Sequence, residues 1–113
     1  MISFKPGIRI AGVQPEIVLI LPIIDSVFKN KGFDTIITEL TGGKHSPKSL
    51  HYVGLAVDIS IRNLGLQVSN LVSELEKVLG EDYDVVQEIT HIHIEFQPKS
   101  NKLIVKQENS NAV

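Results

Sequence analysis

The run His91-Ile92-His93-Ile94-Glu95 alternates polar and apolar residues without a break, and a side-chain period of two is that of a β-strand with unlike faces. Both imidazoles and the Glu95 carboxylate then stand on one face, while Ile92 and Ile94 turn toward a core. A strand of this kind belongs to a sheet covered on one side only, so the rest of the chain has to supply an apolar cover. Two stretches have the spacing for it. Ile17, Ile20, Leu21, Ile24, Val27 and Phe28 recur at three- and four-residue intervals, which predicts a helix from Pro15 to about Asn30 with Gly32 as its stop and a bend at Pro22. Gln67 to Leu79 repeats the pattern and ends at Gly80.

The other strands read from β-branched and alternating runs. Thr35 to Leu40 and Leu55 to Ile61 are two of them, and Tyr83 to Val86 is a third that pairs antiparallel with His91 to Phe96. The segment before Pro15 reads as irregular, and Thr41 to Ser49 as a loop leading into His51. The expected fold is α+β, a small and mainly antiparallel sheet with two helices packed on it. With 113 residues the chain suits one domain around one core, with a mobile polar tail from about residue 99.

Composition narrows the function classes. Apolar residues make up 42% and charged residues 21%, the balance of an ordinary globular domain. The formal net charge is −2 and Lys and Arg form no run, so no nucleic-acid partner is expected. The run Ile17 to Ile24 is interrupted by Pro22 and is too short for a membrane span, so no membrane partner is expected either. The N-terminus lacks the basic and apolar regions of a secretory signal, which predicts synthesis in the cytoplasm; a monomer is expected.

There is no cysteine, so metal chemistry in this chain has only His, Asp and Glu to draw on. All four histidines fall in two short segments, His45 and His51 in the first, His91 and His93 in the second, and both segments carry carboxylates. A turn at Gly54 can fold His51 back toward Asp58. Loop and strand side chains of these types can converge on a divalent ion, and imidazole with carboxylate suits zinc with an open coordination position. The alternative is a polar outer strand face beside a hydrogen-bonded His51–Asp58 pair, and spacing does not choose between the two.

The pattern Ser49-x-His51-x-x-Gly54-x-Ala56-x-Asp58, followed by His91-x-His93 on a strand, resembles the zinc-peptidase superfamily of D-Ala-D-Ala carboxypeptidases, phage L-alanyl-D-glutamate endolysins and Hedgehog-type domains. The resemblance runs from about Ile36 to Pro98 and is nearest to compact phage-encoded members. It implies a Hedgehog-like or DD-peptidase-like fold and zinc held by His51, Asp58 and His93. Subfamilies with E-x-x-H spacing point instead to His91 as the third ligand, while the H-I-H-I spelling points to His93.

The implied function is zinc-dependent hydrolysis of a peptide bond in peptidoglycan stem peptide, either a carboxypeptidase or an L-Ala-D-Glu endopeptidase reaction, with action at the cell wall. Glu88, in the turn before the strand, is then the general-base candidate. His91 is the candidate donor to the oxyanion. Ser49, Lys44 and His45 are candidates for contact with substrate, Ser49 equally for ordering its turn. Family members often carry an arginine upstream of the first motif to bind a substrate carboxylate, whereas this chain has none between Arg9 and Arg62. Two rival expectations are a zinc-containing binding module without activity and a virion component in which the histidines only stabilise the fold.

Overall fold

The computed structural model describes residues 1–99. Its strands are β1 (Ile2–Phe4), β2 (Thr35–Glu39), β3 (Ala56–Ser60), β4 (Tyr83–Gln87) and β5 (His91–Phe96), and its helices are α1 (Pro15–Val18), α2 (Leu21–Asn30) and α3 (Val68–Leu79). The strands form one mixed sheet in the order β1-β2-β3-β5-β4, in which β1 runs parallel to β2 and every other pair is antiparallel. The architecture is α+β, as the periodicities predict.

Ile37, Val57, Ile59, Ile92 and Ile94 project from one face of the sheet and are fully buried. They pack with Ile17, Ile24 and Phe28 from the first two helices and with Leu71 and Leu75 from α3. The faces follow from register. Val57 pairs with Ile94 and Ile59 with Ile92, and directly opposite residues share a face, so the apolar set of β3 and β5 lies on the helix side. Asp58 pairs with His93 and Ser60 with His91, which sends the polar set to the other side of the sheet.

Two elements differ from the sequence-based expectation. The helix from Pro15 to Asn30 is broken between α1 and α2 rather than bent. Pro22 has no N–H to give and its ring would strike the carbonyl of Val18, so the first helix stops there and Pro22 falls in the opening turn of α2, where a missing donor costs nothing. The stretch before Pro15, read as irregular, contains β1. Three residues are too few to show a period, and this strand is defined by its pairing, with Ile2 opposite Thr35 and Phe4 opposite Ile37.

Lys99 is held by its backbone N–H on Asp82 Oδ1 at 2.9 Å and by its ammonium on Asp84 at 2.6 Å. The rest of the polar tail expected from about residue 99 lies outside the described residues. Among the described residues no helix is long and apolar enough to cross a membrane.

Candidate metal centre

The open face of the sheet is flanked by the chain that leaves β2, and two local devices fix where that chain delivers His51. Ser49 Oγ accepts the His51 N–H at 3.2 Å and caps a single 3₁₀ turn, Leu50–Val53. Gly54 ends the turn with φ +78°, and a Cβ at this position would collide with the carbonyl of Gly12. Only glycine meets both demands. The Gln14 N–H donates to Gly54 O at 3.0 Å, which pins the turn to the segment before α1. His51 is thereby driven inward, 1% exposed, against Asp58, 4% exposed.

Three imidazoles surround the Asp58 carboxylate. His51 Nε2 lies 3.1 Å and His93 Nδ1 2.8 Å from Oδ1, while His91 Nε2 lies 3.5 Å from Oδ2. Each ring has its second nitrogen engaged. His51 Nδ1 donates to the carbonyl of Leu40 at 2.7 Å, His93 Nε2 faces Glu95 Oε1 at 2.8 Å, and His91 Nδ1 meets Thr90 Oγ1 at 2.9 Å. Metal-binding histidines characteristically have a carbonyl or carboxylate on the far nitrogen, which sets the tautomer and aims the lone pair.

The consequence is sharpest at His51. With Nδ1–H given to Leu40 O, a neutral His51 presents a lone pair at Nε2, and that lone pair faces a carboxylate oxygen 3.1 Å away. Two acceptors stay in such contact only with a proton or a cation between them. Burial alone would push the Asp58 carboxyl up, but hydrogen bonds from His51 and His93, with the field of the imidazoles, outweigh it and hold Asp58 well below the usual carboxylate range. The hydrogen bond to Asp58 raises His93 to about 8 against the opposing effect of burial, and Glu95 adds to the rise. Ion-free, this site is an anion that gathers protons; the same donors suit a divalent cation.

The site residues expected from the sequence fall into groups. His51, Asp58, His91 and His93 converge, and two sets of side chains able to hold a metal ion share Asp58: one with His91 and His93, the other with His45 and His51. Lys44, His45, Ser49 and Glu88 line the same cleft, which has a volume of about 1450 Å³. Ser49 caps the His51 turn, which is the ordering role expected of it. Glu88 is exposed in the β4–β5 turn and its N–H donates to His91 O at 2.8 Å. That pairing continues the strand register, so Glu88 stands opposite His91 on the open face.

Two cations in the cleft wall were missed by sequence reading, Lys5 and Arg62. Arg62 extends the alternation Asp58, Ser60 by one more step, a signal that was present. Lys5 follows β1, whose existence no pattern announces. Arg9 braces the loop from outside, its carbonyl accepting both the N–H and the hydroxyl of Thr41 at 3.1 and 3.0 Å. The His/Asp donor set is thus assembled on the open sheet face, and comparisons with family models, curated proteins and solved structures find no match to this chain.

Proposed function

We propose that this chain is a zinc-dependent peptidase of the D-Ala-D-Ala carboxypeptidase and L-alanyl-D-glutamate endolysin type, with His51, Asp58 and His93 as the resident ion's ligands. The observation that carries the reading is the His51–Asp58 contact, in which a carbonyl-fixed imidazole sets its Nε2 3.1 Å from a buried carboxylate at the floor of an open cleft, a pairing that a proton or a cation must bridge. His/Asp donors without sulfur suit zinc, and the ordered Glu95 contact on His93 Nε2 leaves Nδ1 as the ligand atom. A divalent ion there supplies Lewis-acid polarisation of a carbonyl and a lowered water pKa.

The chain's own residues supply the rest. Among the described residues the Glu88 carboxylate makes no hydrogen bond or ion pair, so it is available to take a proton from the attacking water and return it to the leaving amine. Glu95 is occupied by His93 and by Gln97 Nε2 at 2.8 Å, which makes it the weaker base candidate. His91, anchored by Thr90 on Nδ1, has Nε2 3.5 Å from Asp58 Oδ2, and a rotation of the ring toward the cleft turns that N–H to the oxyanion. Lys5, Lys44 and Arg62 stand among the cleft's carboxylates, Glu39, Glu88 and Glu95, as candidate partners for a carboxylate of a peptidoglycan stem peptide.

Defined stem peptides incubated with the zinc-loaded protein, with and without a chelator, test this reading. Chelator-sensitive release of D-alanine or scission between L-alanine and D-glutamate is expected. Intact peptides after prolonged incubation with zinc-loaded, folded protein would remove the hydrolytic role.

A further inference from the structure

His45 repeats, on the other side of His51, the arrangement that prepares His51 to bind a metal. Its Nε2 contacts the carbonyl of Gly42 at 2.9 Å. A carbonyl can only accept, so Nε2 carries the proton and Nδ1 of the neutral ring keeps its lone pair, as Leu40 O dictates for the opposite nitrogens of His51. The two imidazoles stack with centroids 4.1 Å apart and planes 12° from parallel. A ring nitrogen of His45 lies within 4.8 Å of ligand atoms of both His51 and Asp58.

This placement is held by other groups. The His45 N–H donates to the hydroxyl of Tyr52 at 2.7 Å, and that hydroxyl reaches the carbonyls of His45 at 3.1 Å and Gly43 at 3.4 Å. Tyr52 directly follows His51, so one short turn aims His51 inward and holds the segment carrying His45 over it. Two donors on one tetrahedral zinc stand roughly 3.3–3.5 Å apart, given bonds of about 2.0–2.1 Å. A shift of up to about 1.5 Å, with a tilt of the His45 ring out of its stack on His51 so that both in-plane lone pairs converge, brings His45 into range, and Gly42-Gly43, with φ +84° at Gly43, provides the hinge.

We propose that His45 is a fourth protein ligand of the ion held by His51, Asp58 and His93, delivered by the glycine-hinged loop 41–49. The inference rests on the metal-centre reading and is independent of whether the chain hydrolyses anything. It replaces the substrate contact expected of His45 from the sequence. With His45 engaged the protein fills the coordination that a substrate carbonyl needs, so loop 41–49 governs access to the ion.

The test is zinc affinity by chelator competition, together with the number of bound imidazoles from zinc-edge X-ray absorption, in wild type, His45→Ala, Tyr52→Phe and His51→Ala. Loss of His45 is expected to weaken zinc binding by at least about 10-fold and to lower the imidazole count from three to two. Tyr52→Phe should weaken zinc in the same direction but less, with the count kept at three. The melting temperature of chelator-treated His45→Ala should match that of chelated wild type, showing that the fold survives. An imidazole count unchanged by His45→Ala overturns the proposal, whatever happens to affinity. If His51→Ala also leaves zinc binding intact, the metal centre itself is wrong; if His51→Ala abolishes it while His45→Ala changes nothing, only the role of His45 fails.

Discussion

A buried imidazole needs a partner on each nitrogen, and His51 meets the requirement with Leu40 O on one side and Asp58 on the other. Its motif neighbours have separate tasks: Ser49 fixes the turn, Gly54 ends it, and Tyr52 faces outward to the loop. That division of labour was legible for His51 and Asp58, whose residue types announce themselves. It was not legible for His45, because stacking across a loop leaves no mark in local spacing. Glu88 is distinguished from Glu95 by what each touches, and Glu88→Gln tests the difference. The amide keeps the shape and removes the basic oxygen, so zinc content should stay the same while stem-peptide hydrolysis falls by roughly 10²-fold or more. Normal turnover in this variant would take Glu88 out of the mechanism and make Glu95→Gln the next comparison.

The strands that carry the site were readable because packing on one side imposes a period of two: β5 shows it in burial from His91 to Ile94, whereas β3 is buried on both faces from Ala56 to Ile59 and only its residue types alternate, from Val57 to Ser60. The α1–α2 break was not, because a proline inside an apolar pattern is compatible with a bend as well as a stop, and the choice depends on whether the core accepts two short helices. The turn at Gly54 lies between these cases: the glycine was visible as a hinge, its collision partner in Gly12 was not. Gly54→Ala should therefore do more than remove freedom. Holding alanine at positive φ costs about 1–2 kcal/mol, and the clash with the Gly12 carbonyl adds to it. Urea unfolding should show a loss of at least about 2 kcal/mol, accompanied by weaker zinc binding as the His51 turn is displaced. Stability equal to wild type would mean that the turn and the 12–13 segment are not packed as described.

The proposed ligands come from a loop turn and β3, seven positions apart, and from β5, thirty-five positions beyond Asp58, so whatever binds between them ties the sheet to the loop that overhangs it. Without metal, the tie is a network of protons. His93 titrates at about 8, above the 6.5 of an unfolded histidine, so the ion-free protein is stabilised by protonated His93 below pH 6.5 and loses that contribution as pH rises through 8. The loss is on the order of 2 kcal/mol for a shift of this size. Metal works in the opposite direction. The ion needs the same His93 nitrogen free of its proton, so its affinity, and with it the stabilisation it confers, increases over the range in which the proton is lost. The gap between the melting temperatures of zinc-loaded and chelated protein should therefore be small at pH 6 and wide at pH 8, widening both because the chelated form weakens and because the loaded form binds zinc more tightly. In His93→Gln the chelated form should show no such fall between pH 6.5 and 8. A gap that stays constant across this range in wild type would separate His93 from the metal and return the choice of third ligand to His91.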